Sequence, residues 1–193
     1  MPNKRTQLKE QRRMDILAAG LDLFIRKGYG STKIADIAEQ AKMSMGLLFH
    51  YFESKEKLYE ELIKIGCEGT EFHLEQIGGT PLQSFRAAAE EILHMISGNP
   101  GSTKMFVLME QAQNNDAIPQ AAKDMLSQVD IIQKSIPLIE EGQKIGEIRQ
   151  GNAWALSTAF WCSFQGIAEE IALHPDTPCP EADWLIDILK KRE

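Results

Sequence analysis

The stretch from Ser44 to Phe52 carries the most distinctive set of side chains in the sequence. Ser44 can accept a backbone N–H at the start of a helix predicted over residues 45–52, in which Leu48, Phe49 and Phe52 are expected to pack inward. The outer face then carries Met45, Gly46, Leu47, His50 and Tyr51. An outer face so rich in apolar and aromatic groups is unusual in water. It suits a helix that enters a DNA major groove, where the apolar side chains of Met45 and Leu47 meet thymine methyls.

Polar groups around this face would make the contacts with phosphate. Thr32, Tyr51, Lys55 and the backbone N–H groups after Ser44 suit that role. The full set predicted to contact DNA is Thr32, Lys33, Ser44, Met45, Gly46, Leu47, Phe49, His50, Tyr51 and Lys55. A basic arm could add phosphate or minor-groove contacts, or could be a solvated start of the chain. Its residues are Lys4, Arg5, Arg12 and Arg13.

Three further helices are predicted to hold this face in place. The first runs from about Lys9 to Lys27 and ends at Gly28. The second has Thr32 as its N-cap and an apolar face at helical spacing, formed by Ile34, Ile37, Ala38 and Ala41. Residues 42–44 are too few for anything but a turn. Ser54 is predicted to cap the third helix, which begins at Lys55.

Taken with the two residues before them, these segments resemble the head of the TetR family of bacterial transcriptional repressors. The matching positions are Gly28, Tyr29, Ser31, Thr32, Ile37, Ala38, Ala41, Met43, Ser44, Gly46, Leu48, Phe49, Tyr51, Phe52, Ser54, Lys55, Glu56 and Leu58. Phe49 stands where the family often has Tyr, so one hydroxyl is absent, and Tyr51 stands where His is common. The resemblance implies a homodimeric repressor that responds to a small molecule.

Composition and charge agree with a protein of which one end approaches DNA. Residues 1–64 hold 12 Lys and Arg against 9 Asp and Glu, a net charge of +3, and residues 65–193 hold 9 against 19, a net charge of −10. No apolar run is long enough to span a membrane and the start lacks the apolar core of a signal peptide, so a cytoplasmic protein is expected.

Catalytic and metal-binding motifs have little support. Glu91 and His94 form an E-x-x-H, which is half of a di-iron carboxylate signature, but the nearest second pair, Glu170 and His174, has the wrong spacing. A solvated or partly buried His94 is the alternative. The sequence holds no G-x-S-x-G elbow and no phosphate-binding glycine loop. Its three cysteines, Cys67, Cys162 and Cys179, are too widely spaced to predict a zinc site.

The remainder of the chain reads as helices separated by clear breaks. Thr80 and Pro81 are predicted to start one helix, residues 98–102 form the strongest loop signal, and residues 119–145 form a helix that Pro137 should kink or split. Asn152 should cap a helix over residues 153–173 that is apolar nearly all round, and residues 181–191 form a last helix. Because so apolar a helix must be covered on two sides, these two helices are predicted to pair with a second subunit.

Flexible and aromatic side chains supply a candidate effector site, although most of them could equally be plain core. The predicted lining comprises Phe72, Met95, Met105, Phe106, Met109, Glu110, Met125, Trp161, Phe164 and Gln165. Glu110, Glu169 or Gln165 could give this site its polar anchors, and aromatic rings beside an acidic group would accept a hydrophobic or cationic ligand. Gly66 and Gly69 lie inside the connecting helix, where a bend is cheapest.

The sequence therefore predicts an all-α protein in three parts. A helix-turn-helix domain covers residues 1–54, a connecting helix covers 55–77, and an effector-binding and dimerisation domain covers 78–193. The predicted partners are an operator in double-stranded DNA, a second copy of the chain and a small-molecule effector, with no cofactor, metal, catalytic residue or membrane partner. An effector-independent activator and, with less support, an all-α metal or small-molecule enzyme are the alternatives.

Overall fold

The computed structural model describes residues 4–69, 74 and 78–191, and in these residues the secondary structure is α-helical, as predicted. Ten helices occur in the described part of the chain. They are α1 (Lys4–Lys27), α2 (Ile34–Gln40), α3 (Met45–Tyr51), α4 (Lys55–Gly69), α5 (Pro81–Gly98), α6 (Pro100–Gln113), α7 (Gln120–Leu126), α8 (Ile131–Ile145), α9 (Ala153–Leu173) and α10 (Ala182–Leu189). No helix within the described ranges is long and apolar enough to cross a membrane.

The chain divides into two compact units. Residues up to 68 form the first unit together with residues 108–127, and residues 69–107 and 128–193 form the second. The grouping of residues 108–127 with the N-terminal helices differs from the sequence-based division, which assigns them to the effector-binding domain. Helix α6 accordingly has residues in both units, since it begins at Pro100 and ends at Gln113.

An aromatic cluster fixes the core of the first unit. The ring centroids of Phe24 and Tyr59 lie 4.9 Å apart, and those of Tyr29 and Tyr59 lie 4.7 Å apart, both edge to face. Burial raises the pKa of Tyr59 to about 12, so its hydroxyl stays protonated. Gly20 lets α1 approach α4 closely, because a Cβ at this position would lie 2.5 Å from Leu58 Cδ2.

Helix starts in the second unit follow the predicted caps. The side chain of Gln83 accepts a hydrogen bond from Thr80 N at 3.0 Å, and Pro81 is the first residue of α5. Asn152 Oδ1 accepts from Ala155 N at 2.9 Å and α9 covers the predicted residues 153–173.

The structure differs from the predicted helix boundaries at two places. The loop predicted over residues 98–102 is reduced to Asn99, because Pro100 suits the first turn of a helix, where its missing N–H has no partner to lose. The helix predicted from Pro119 breaks after Leu126 and restarts at Ile131, where Asp130 Oδ1 accepts from Gln133 N at 2.8 Å. Helix α8 then continues through Pro137, whose exposed position allows solvent to satisfy the carbonyl left without a helical partner.

Rings from α5 and α9 fill the core of the second unit. Phe85 and Phe160 lie 5.2 Å apart, and Phe160 contacts Trp161 at 5.0 Å. Trp161 Nε1 donates a hydrogen bond at 3.0 Å to the buried hydroxyl of Ser135, which lies 2.8 Å from the Ser157 hydroxyl. The face of α9 that carries these residues is therefore committed to the fold of a single chain.

Candidate nucleic-acid interface

Helices α2 and α3 are joined by a four-residue turn whose geometry is set by local hydrogen bonds. Lys42 has a positive φ of 54°, and Met43 N donates to Ala38 O at 2.9 Å. Ser44 Oγ accepts from Leu47 N at 3.3 Å, which confirms the predicted cap of α3. The turn and the cap together fix where α3 begins.

Lys42→Gly is expected to stabilise the first unit. A left-handed conformation costs a non-glycine residue about 1 kcal/mol, and Lys42 is exposed, with few contacts to lose. Denaturant unfolding should give a higher free energy for Lys42→Gly and an unchanged value for Lys42→Ala. Equal values for the two variants would show that the turn is not strained.

The orientation of α3 differs from the prediction at one residue. Leu48 and Phe52 are buried, with exposed fractions of 0% and 6%, but Phe49 is 44% exposed, so its predicted inward packing is wrong. Leu48 and Phe52 are four residues apart and share one face, from which Phe49 is rotated by about 100°. Phe49 instead shares the outer side with Met45, which is 37% exposed.

The remaining predicted reading residues surround this pair. Gly46 and His50 are exposed, while Leu47 and Tyr51 are half-buried. The rings of His50 and Tyr51 meet edge to face with centroids 5.7 Å apart. Helix α3 contains no Asp, Glu, Lys or Arg, so His50 and Tyr51 are its polar side chains.

Thr32 does not cap α2, because Lys33 occupies the N-cap position. Thr32 is 1% exposed, and its hydroxyl lies 2.8 Å from Gly28 O and 3.2 Å from Leu23 O, both at the end of α1. A carbonyl oxygen has two lone pairs, so either can accept from the hydroxyl, which closes the end of α1. The Thr32 hydroxyl is therefore held against the end of α1, and the predicted contact of Thr32 with phosphate remains a prediction, as does that of the exposed Lys33.

The Lys55 ammonium has hydrogen-bond partners inside the helix-turn-helix domain. Its ammonium donates to Tyr29 O at 2.9 Å and to Thr32 O at 3.0 Å, and lies 4.2 Å from the centroid of the Tyr29 ring. Lys55 thereby ties the start of α4 to the loop before α2. Its predicted contact with phosphate remains a prediction.

Two further contacts of this kind were missed by sequence reasoning. Arg13, predicted as part of a basic arm, forms an ion pair with Glu61 and lies over the Phe52 ring at 5.6 Å. Tyr29 donates a hydrogen bond to Glu56 at 3.1 Å, and burial is the main cause of its strongly raised pKa. Residue spacing gives no signal for either contact, because the partners are 48 and 27 positions apart in the chain.

The predicted effector residues are distributed over both units. Met109, Glu110 and Met125 belong to the first unit. Met95, Met105, Phe106, Trp161, Phe164 and Gln165 belong to the second, and Phe72 lies outside the described residues. Met109 is 7% exposed and packs over Gly66, where a Cβ would lie 2.8 Å from Met109 Cγ. Trp161 and Phe164 contribute to the ring cluster of the second unit.

A surface cleft in the second unit was not predicted. It encloses about 540 Å³ and is lined by Thr80, Leu82, Gln83, Arg86, Gly146, Glu147, Lys190 and Lys191. Its residues are brought together by the pairing of Ile148 with Lys190 across a single β-bridge.

His94 is exposed, and in the described part of the chain no three His, Cys, Asp or Glu side chains are placed to hold a metal ion.

Comparison with known proteins agrees with this geometry. Residues 16–62 match the sequence model of the bacterial regulatory proteins of the tetR family. The HTH-type transcriptional regulator YuxN of Bacillus subtilis is 30% identical over 120 residues, which cover 60% of this chain but only 40% of YuxN. RutR of Escherichia coli O157:H7, also an HTH-type transcriptional regulator, is 28% identical over 176 residues, which cover 86% of this chain and 78% of RutR.

A solved structure extends the likeness to the whole fold. The ketosteroid transcriptional regulator KstR2 of Mycobacterium tuberculosis superposes with a TM-score of 0.74 over 94% of this chain and 96% of its own, at 18% identity. The matched segment 16–62 contains α2, the turn and α3 complete. Residues 16–62 therefore form a helix-turn-helix domain of the tetR family of bacterial regulatory proteins, and the relatives that match the chain more widely are transcriptional regulators, not enzymes.

Proposed function

We propose that this protein is a homodimeric transcriptional repressor that binds a palindromic operator through α3 and is released by a small hydrophobic or cationic molecule. The observation that carries the proposal is the outer side of α3, which exposes Met45, Phe49 and His50 on a helix whose start is fixed by Ser44. Large apolar side chains that remain exposed on so short a helix favour a binding surface.

The exposed side of α9 supports dimerisation. Opposite the buried residues Phe160, Phe164 and Ala168, the helix exposes small residues at helical spacing: Ala155, Ala159, Cys162 and Gly166. Trp154 and Trp184 are 52% and 62% exposed. A second copy would cover these apolar residues in a bundle of four helices, two from each chain, and its two-fold symmetry would require a palindromic operator.

The nature of the effector is inferred from the lining residues. Trp161 and Phe164 are predicted to line the site and lie in the buried ring cluster of the second unit, and Gln165 donates to Glu169 at 3.1 Å, which places a carboxylate on the same helix. Aromatic rings beside a carboxylate suit a hydrophobic or cationic molecule. The alternative is an activator that needs no effector.

An electrophoretic shift assay with DNA upstream of the protein's own gene tests the proposal. Purified protein should retard a fragment that contains a palindrome, and one member of a library of hydrophobic and cationic compounds should release it. Failure to bind any duplex would overturn the proposal. Binding that no compound changes, together with increased transcription in vitro, would favour the activator.

Release by an effector is proposed to act through α4, with bending near Gly66 or Gly69. The packing of Met109 over Gly66 gives this helix a second attachment within the first unit, so Gly66→Ala changes a contact as well as stiffness. Gly69 is exposed, and no described side chain lies within 4 Å of a Cβ built there. Gly69→Ala is therefore the clean test of stiffness.

We expect Gly69→Ala to change the ratio of operator affinities measured with and without effector, a ratio that is typically about 5- to 150-fold in allosteric proteins. Operator affinity without effector should stay within about twofold of the wild-type value, since substitutions at exposed positions usually change the free energy of the protein little. Gly66→Ala should in addition lower the free energy of unfolding by about 1 to 3 kcal/mol through overpacking against Met109. A ratio equal to wild type in Gly69→Ala would show that this bend has no part in release.

A further inference from the structure

We propose that Met45 and Phe49 are the specificity-determining pair of α3 and that they read the methyl groups of two thymines in each half-site. The inference rests on the proposed function, because it names the base feature that the proposed DNA-binding surface would recognise.

The two side chains form one continuous apolar surface. They are four residues apart on α3, so they lie on the same side of the helix with Cβ atoms about 5 to 6 Å apart. Their exposed fractions, 37% and 44%, are higher than those of the other large apolar residues on this helix. Two buried residues on the adjacent face, Leu48 and Phe52, fix the rotation that exposes them.

Nothing in α3 offers a stronger way to distinguish base pairs. Bidentate recognition of guanine needs Arg or Lys and bidentate recognition of adenine needs Asn or Gln, and residues 45–51 contain none of these. Gly46 lies beside the pair, and a Cβ built there would meet no described atom within 4 Å. The backbone can therefore approach the groove closely enough for Met45 and Phe49 to reach its floor.

The thymine C5-methyl is the only apolar group that a standard base presents in the major groove. Successive bases along one strand are about 3.4 Å apart. The spacing of the Met45 and Phe49 side chains therefore matches two methyls on adjacent bases or on bases two steps apart. We infer that each half-site contains two thymines so spaced.

The test uses the full-length protein and an operator selected from a random duplex pool. Each thymine of the selected operator is replaced in turn by deoxyuridine, which removes the methyl and keeps every hydrogen-bonding group. At two positions per half-site the loss of affinity should be about fourfold for each methyl, the value expected for burying one such group. A cytosine placed at either position should lose affinity, and 5-methylcytosine should recover part of it.

Variants assign the two methyls to side chains. Met45→Ala should abolish the deoxyuridine effect at one position and Phe49→Ala at the other, and both substitutions are at exposed sites that leave the core intact. Glu53→Ala is the matched control, since it removes an exposed side chain just after α3 that lies outside the predicted DNA-contact set, and it should leave both effects unchanged.

The outcomes separate this inference from the proposed function. If an operator is selected but deoxyuridine has no effect at any position, or if its effect persists in both Met45→Ala and Phe49→Ala, the methyl-reading pair is wrong and the proposed function stands. If no operator is recovered from the pool, the proposed function itself fails.

Discussion

Replacing Ala159 with arginine is expected to convert the protein into a monomer and to weaken operator binding by about 100-fold or more, because two linked heads typically exceed the affinity of one by 10²- to 10⁴-fold. Ala159 is exposed near the middle of α9, on the side opposite to Phe160 and Phe164. An arginine there projects into water in the single chain but would be buried without a partner between two copies. Sedimentation at micromolar concentration measures the change.

The matched control is His94→Arg, which adds a guanidinium to another exposed helical position of the same unit. It should remain a dimer with wild-type affinity for the operator. Circular dichroism should show unchanged helicity for both variants. A dimeric Ala159→Arg protein would disprove the α9 interface, as would a wild-type protein that sediments as a monomer.

The burial of each α9 residue decides where a charged substitution can test dimerisation. Phe164 and Ile171 are candidates for a charge substitution from the sequence alone, since both lie on the apolar helix. Phe164 is 2% exposed and packs on Phe160 within one chain, so a lysine there would unfold the protein whether or not it dimerises. An all-apolar helix pattern predicts that two sides of the helix are buried. The sequence pattern does not say which side belongs to which partner.

Features that depend on neighbouring residues were predicted well. Ser44, Ser54 and Asn152 cap helices where the sequence places them, because a capping side chain bonds a backbone N–H only two or three residues away. Helix α9 has the predicted bounds for the same reason, with Asn152 at its start and Pro175 just after its end. The all-α class follows from these local signals.

Features that depend on distant partners were not predictable. Thr32 has the residue type and position of an N-cap, yet its hydroxyl lies against carbonyls at the end of α1. Gly66 reads as a weak point of a helix, but it accommodates Met109, which is 43 positions away. Residues 108–127 join the first unit through such contacts, for example the 3.4 Å hydrogen bond from Gln111 Nε2 to Ile25 O.

Lys55→Ala is expected to destabilise the first unit and to weaken operator binding without changing its salt dependence. The ammonium satisfies two backbone carbonyls, Tyr29 O and Thr32 O, and packs on the Tyr29 ring. Hydrogen bonds to a charged group contribute about 1.5 to 3 kcal/mol, so the free energy of unfolding should fall by about that amount. Affinity should fall because the loop that positions α2, and through it α3, is no longer held.

A phosphate contact would give a different result. It would leave stability unchanged and reduce the slope of log affinity against log salt by about one unit, as loss of one neutralised phosphate does. The comparison variant is Lys33→Ala, at an exposed N-cap whose side chain makes no cap hydrogen bond. For Lys33→Ala we expect the reduced slope with the unfolding free energy within about 0.5 kcal/mol of wild type.

Comparing the Lys33 and Lys55 variants therefore distinguishes a lysine that stabilises the domain from a lysine that contacts phosphate. Denaturant unfolding reports whether a lysine holds the head together, and the salt dependence of operator binding reports whether it neutralises a phosphate. Lys55→Met is a useful third variant, since it keeps an unbranched apolar side chain of similar length and removes the ammonium that lies over the Tyr29 ring. If Lys55→Met is as stable as wild type and shows the reduced slope, the ammonium serves DNA and its contacts with Tyr29 and Thr32 contribute nothing to the fold. If it is destabilised with an unchanged slope, Lys55 is a positioning residue, and phosphate recognition rests on Lys33 and on the backbone of the α2–α3 segment.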